Sequence, residues 1–206
     1  HFDHTGGNAL WDEVWMAEGS AASARHPFNE EQQRWYDAKP HKNYAINILK
    51  DGDVIDLGGR IVEVISIAAH HEGSIALLDR TDRLLFTGDE LESGQVLLFV
   101  RDDNLPLEQA VAVHKANMEK LLALRSEYDY ICPAHNGTML QPDIYLNDFI
   151  ALDQSILDGT AQVQPDTAGF GYAPYQTGDS LFAQLGAQER AEYGQAAMVY
   201  LKRSAE

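Results

Sequence analysis

Cysteine is almost missing from this chain: Cys132 stands alone among 206 residues. That excludes an internal disulfide framework and a multi-cysteine zinc ribbon. Basic residues are also scarce. The 15 Lys and Arg face 32 Asp and Glu, for a formal net charge of −17 and a pI near 4.7. A surface that acidic repels phosphate backbones and anionic headgroups, so neither a nucleic-acid nor a membrane partner is expected. No apolar run approaches the ~18 residues of a membrane span. Repeats, low-complexity tracts and dividing linkers are absent too, which leaves one domain over residues 1–206 as the expectation. What is present is ordinary: 45% hydrophobic and 23% charged residues, enough to build a substantial core. With no visible signal peptide and one cysteine, the expected compartment is cytoplasmic, although the chain opens on His1 rather than Met.

Hydrophobic periodicity divides the chain unevenly. Residues 1–8 read as a polar, glycine-rich loop feeding a short helix at 9–12. A short strand is expected at 14–17 and a helix at 19–25, with Ser20 as its N-cap. Residues 26–42 show no clean period and read as an irregular excursion. From Tyr44 the pattern becomes that of strands, at 45–48, 54–57, 60–68, 74–78 and 84–87, with Gly and Asp at the turns. The clearest helix covers 107–125, with Pro106 at its start. A strand at 128–132 follows, then a helix at 142–158 with Ile144, Tyr145, Phe149, Leu152 and Ile156 as its buried stripe. Residues 159–180 read as loop-rich and 196–202 as a last strand. Hairpin-like strands followed by strand–helix units predict a layered α/β sandwich.

Several histidines and acids sit where such elements end. They are His1, Asp3 and His4 in HFDHTGG, His70 in AHHEGS, Asp89 in FTGD and His135 in CPAHNG. Strand ends are rigid, so loops leaving one sheet edge can aim several side chains at one point. Imidazole and carboxylate together suit zinc or another borderline divalent ion. Taken singly, each motif has a plainer reading: a capped helix start, a hydrogen-bonded surface histidine, a common Gly-Asp turn. Their occurrence together, in order, favours a metal centre.

The ordered set HFDHTGG, HHEGS, LLFTGD and CPAHNG resembles the metallo-β-lactamase fold of metal-dependent hydrolases. The signature runs H-x-H-x-D-H-x-G-G, then a His before a small loop, then Gly-Asp, then a last His. His1 to Gly7 match it from its second histidine onward. The resemblance implies a four-layer αββα sandwich missing its N-terminal strands in this chain. It implies that His1 and His70 bind a first metal, that Asp3, His4 and His135 bind a second, and that Asp89 bridges them. It also implies that Asp3 orients an attacking water. The expected cofactors are two divalent ions, zinc first, with iron or manganese as alternatives. Register against Gly73 selects His70 over His71 as ligand, and His71 reads first as a surface residue and second as a residue that supports or lines the pocket. His26, His41 and His114 lack such contexts, and His114 is expected to be structural. Cys132 is expected to pack in the core.

Position-by-position comparison narrows the branch. His1 stands where oxygen-reducing diiron relatives carry glutamate. Asp89 stands where zinc β-lactamases carry cysteine or serine. The remaining resemblance is to glyoxalase-II-like thioesterases and lactonases, although Ser74 replaces the histidine that many of these have after the loop glycine. The implied activity is hydrolysis of a small ester, thioester or lactone, by a protein that is a monomer or a homodimer. Two alternatives stay open: a mononuclear iron enzyme acting on persulfides, and a non-catalytic metal- or ligand-binding relative. Trp35, Tyr36, residues 90–94, Phe99, Tyr172 and Tyr175 either line a pocket or cover the core edge. Lys42, Arg101 and Lys202 are the cations expected near such a pocket.

Overall fold

The computed structural model describes residues 1–25, 43–98, 105–166 and 188–201. At its start the sequence closes on itself sooner than its polarity predicts. The His1 carbonyl accepts the amides of His4 and Thr5 and the Thr5 hydroxyl, which winds α1 over Phe2–Thr5. Residues 1–8 are therefore not a loop. The expected helix at 9–12 is a 3-10 turn over Asn8–Leu10, because Gly6 and Gly7 interrupt the helical run.

Strand β1 (Glu13–Ala17) runs directly into helix α2 (Glu18–Ala24). Ser20 is not its N-cap. Ala17 holds that position without a side-chain bond, and Ser20 Oγ donates instead to the Gly73 carbonyl at 3.2 Å. Strand β2 (Ala45–Leu49) pairs with β1 in parallel. Met16, Ala24 and Tyr44 form a small core between them.

The Ile/Val-rich stretch forms a second sheet. Strands β3 (Val54–Asp56), β4 (Ile61–Ser66), β5 (Ile75–Asp79) and β6 (Leu84–Gly88) pair antiparallel in succession. After the short β7 (Val96–Leu97) the chain enters helix α3 (Leu107–Ala123). Strand β8 (Tyr130–Pro133) then returns parallel to β6, as a helical crossover permits. Helix α4 (Pro142–Leu157) follows, with Pro142 in its first turn. Within the loop-rich stretch the described residues include a short strand, β9 (Val163–Pro165). β9, β10 (Gln188–Tyr193) and β11 (Ala196–Leu201) join β7 in a four-stranded sheet.

One core lies among these sheets and the helix pair. Ile65, Leu78, Leu85, Ile131, Met118, Phe149, Leu152 and Met198 all belong to it. Ile144, expected in the buried stripe, is 51% exposed. The inner face runs through 142, 146, 149, 152, 153 and 156, and Ile144 falls between its rows. Cys132 is half-buried rather than a core residue, since strand alternation sends Ile131 inward and Cys132 the other way. His114 is fully buried, as a structural histidine should be.

At the surface, cations lie beside acids. Arg60 reaches Asp79 and Asp82, Arg80 reaches Glu63 and Glu127, and Arg83 reaches Asp129. Lys120 pairs with Asp51 and Arg125 with Asp143. No helix among the described residues is long and apolar enough to cross a membrane.

Candidate metal centre

The ends of β6 and β8 lie side by side, and both carry a sequence-predicted ligand just beyond. Asp89 follows β6 and His135 follows β8. The parallel pairing of these strands sets the two residues on one edge. The loop after β4 brings His70, and α1 brings His1, Asp3 and His4.

The six residues group as two donor sets. Ligand atoms of Asp3, His4, Asp89 and His135 all lie within 4.8 Å of one another, as do those of His1, His70 and Asp89. Asp89 belongs to both. His4 Nε2 is 3.0 Å from Asp89 Oδ2, and His135 Nε2 is 3.1 Å from Asp3 Oδ2. His70 Nε2 is 3.2 Å from His1 Nδ1 and 3.5 Å from Asp89 Oδ2. His4 and His135 meet edge to face, with ring centroids 5.2 Å apart.

Several features fit divalent ions. His70 Nδ1 donates to the Leu97 carbonyl at 2.7 Å, which fixes the tautomer and leaves Nε2 as a lone-pair donor. Burial drives the His70 pKa down to about 4, against the pull of Asp89. That keeps the imidazole neutral, as a ligand must be. Burial also pushes the Asp89 carboxyl upward, but the His4 hydrogen bond and the neighbouring histidines outweigh it and hold the carboxylate ionised. Asp89 Oδ1 is a buried oxygen with no hydrogen-bond partner among the described residues. An acceptor in that condition is costly unless a cation serves it.

The 90–94 stretch, which sequence reading left between pocket lining and core edge, turns two carboxyl groups into the protein, a direction that the sequence did not reveal. Glu90 is fully buried. Its Oε1 accepts the amides of Ala69 and His70 at 2.9 and 2.8 Å, so it braces the loop that carries His70. Glu92 is also buried and accepts the Asn136 side-chain amide at 2.7 Å, next to His135. Burial and then the charge of Asp89 push its carboxyl up to about 8. His71 is 5% exposed, not a surface residue. Its Nδ1 accepts the Gly73 amide at 3.0 Å, and its ring lies 5.0 Å from that of His1. Gly73 and Gly19 let α2 sit on this loop, since a Cβ on Gly73 would fall 2.1 Å from Ser20 Oγ. The motif GDE itself was the signal for Glu90, but a carboxylate after Gly-Asp carries no mark of which way it turns.

A cleft of about 500 Å³ opens onto His1, His4, His70 and Asp89. Val14, Trp15 and Ile75 give it apolar wall, and no Lys or Arg lines it among the described residues. His26, Trp35, Tyr36, His41, Lys42, Phe99, Arg101, Tyr172, Tyr175 and Lys202 lie outside the described residues.

The profile of the Metallo-beta-lactamase superfamily matches residues 1–135. The chain belongs to this superfamily. Human acyl-coenzyme A thioesterase MBLAC2 is 30% identical over 156 residues, covering 67% of this chain and 54% of that protein. The bovine protein of the same name is 29% identical over the same length. This chain thus spans about half the length of the curated relatives it matches. Among solved structures, the metallo-beta-lactamase family protein TTHA1429 from Thermus thermophilus is similar, with a TM-score of 0.54 and 18% identity. That match covers 79% of this chain and 60% of the other. TTHA1623, solved in a di-iron-bound form, gives a TM-score of 0.53 at 24% identity, covering 69% of each chain. These likenesses establish the layered α/β fold of the metallo-beta-lactamase superfamily.

Proposed function

We propose that the chain is a binuclear metal-dependent hydrolase acting on a small thioester, ester or lactone. One observation carries this reading: Asp89 is shared by both donor groups. A shared carboxylate lets two like-charged ions sit side by side. In this reading His1 and His70 hold one ion, and Asp3, His4 and His135 the other. Zinc is the first expectation from the imidazole-rich donor set, with iron or manganese as alternatives. When bound, the ions supply a hydroxide near neutral pH and polarise the substrate carbonyl.

The chain's own residues do the rest. Asp3 is partly exposed beside His4 and His135, so one carboxylate oxygen remains available to orient the attacking water. His70, fixed through Leu97, presents its Nε2 in one direction only. The cleft admits a small molecule to the Asp89 side, and its apolar wall suits an acyl group. The name of the MBLAC2 relatives makes acyl thioesters the first substrates to try.

The test is a panel of acyl thioesters, aryl esters and lactones, assayed with and without chelator, alongside elemental analysis. Two ions per chain and chelator-sensitive turnover support the proposal. One iron per chain with oxygen uptake on persulfides would replace it with the dioxygenase alternative. Metal binding without turnover on any class would leave a binding protein.

A further inference from the structure

Behind the donor groups lies a buried polar chain that the proposed reaction does not use. His114, in the middle of α3, is 0% exposed. Its Nδ1 lies 2.8 Å from Asp153 Oδ2 on α4, and its Nε2 lies 2.8 Å from the Glu90 carbonyl oxygen. The Glu90 carbonyl can only accept, so Nε2 carries hydrogen, while Nδ1 and the Asp153 carboxyl share one proton between them. The ring is thus held at both nitrogens and wedged against Phe149 at 5.3 Å between centroids.

Where the second bond lands matters most. Glu90 immediately follows Asp89, the residue common to both donor groups. Its carboxylate holds the amides of Ala69 and His70. One residue thus grips the His70 loop with its side chain, while its own carbonyl is gripped by His114. The histidine in turn is anchored on α4 through Asp153. A histidine needed only for packing could find its acceptors anywhere in the core. This one ties the helix pair to the backbone of two ligand-bearing loops, one peptide away from Asp89.

We infer that His114, held by Asp153 and acting through Glu90, is a positioning residue that sets the placement of Asp89 and His70 as ligands. The inference rests on the metallohydrolase reading above. Removing such support typically weakens metal binding 10–100-fold.

The test uses the metal-free chain, titrated with Zn²⁺ against a chromophoric chelator, and the visible absorption of the Co²⁺-loaded protein. His114→Phe keeps a flat aromatic ring, slightly larger than imidazole, and removes both polar contacts. It should raise the Zn²⁺ dissociation constant of at least one site 10–100-fold and shift the Co²⁺ bands. Asp153→Asn leaves an acceptor for Nδ1 and should give a smaller loss in the same direction. A folded His114→Phe protein with wild-type Zn²⁺ affinity and an unshifted Co²⁺ spectrum overturns the inference, even if its melting temperature drops. If His114→Phe does not fold, wild-type values for Asp153→Asn overturn it equally. A wild-type chain that takes up neither ion overturns the metallohydrolase reading, and the inference with it.

Discussion

Asp89 and Glu90 are consecutive carboxylates turned to opposite sides of one loop. Asp89 meets His4, His70 and His135 at the cleft. Glu90 turns into the core and takes the amides of Ala69 and His70. Their substitutions should therefore separate chemistry from folding. Asp89→Asn should keep the melting temperature of the metal-free chain within a few degrees. It should also cost at least one bound ion and lower turnover by roughly 10²-fold or more. Glu90→Ala takes an acceptor from the buried amides of Ala69, His70 and His71, at about 1–3 kcal/mol for each one left unpaired, and should lower the melting temperature first. Elemental analysis and thermal melts on both variants check the contrast.

His114 gives a pH signature. Burial alone would lower its pKa, but the Asp153 carboxylate and Glu90 outweigh it and hold it at about 9. A raised pKa means that the folded chain binds the proton more tightly than the unfolded one, whose imidazole titrates near 6.5. The stabilisation is complete below about pH 6.5 and is lost as pH climbs through about 9, up to about 3 kcal/mol in all. Asp153, Glu90 and the nearby Lys115 and Glu119 are the charged groups around this pair. Melts of the metal-free chain from pH 6.5 to 9.5 should show a falling midpoint, and His114→Phe should remove the part of the fall above about pH 8, beyond the titration of the raised Glu92 carboxyl.

The glycine contact between α2 and the His70 loop has its own consequence. A Cβ on Gly73 would fall 2.4 Å from the Ser20 backbone nitrogen, and one on Gly19 would fall 2.7 Å from the Glu72 carbonyl oxygen. Backbone cannot yield as a side chain can. Gly73→Ala should therefore destabilise by about 1–3 kcal/mol and weaken metal uptake with it, because His70 rides on the displaced loop. Gly7→Ala, where a Cβ meets only Leu10 at 4.0 Å, is the control and should leave both unchanged.

Two residues of α4 separate core from surface. Phe149 is fully buried and Ile144 is 51% exposed. Phe149→Ala should cost about 3–5 kcal/mol, and Ile144→Ala within about 0.5 kcal/mol. Denaturant unfolding midpoints decide it.

The candidate donors His1, Asp3, His4, His70, Asp89 and His135 were legible as an ordered set of short polar motifs between apolar runs, and the structure brings their donor atoms together in two groups. The same is true of the long helices, where periodicity over four turns outweighs local ambiguity. Legibility failed where one residue serves two neighbours. Ser20 looks like a helix cap until Gly73 offers it a carbonyl. His71 looks like a surface departure until the loop folds its ring against His1. Strand β10 was invisible because only Ala191 of its six residues is buried. Its pairing comes from the hairpin at Gly194, where the following amide donates to Asp148 at 2.7 Å. Glu90 shows the general difficulty. Direction is decided by tertiary contacts, and a buried acid reads like any other acid in a string.

The ion pairs along the surface carry one more consequence, for encounter rates. Exposed pairs of this kind contribute little to stability. They place Arg60, Arg80, Arg83, Lys120 and Arg125 beside acids, and the chain as a whole carries a net charge of −17, so its long-range field is negative. An anionic substrate then approaches against a repulsion that extends about one Debye length, roughly 10 Å at 0.1 M salt. Added salt should therefore raise kcat/KM for anionic substrates and leave neutral ones unchanged, the reverse of enzymes that draw their substrates in by charge.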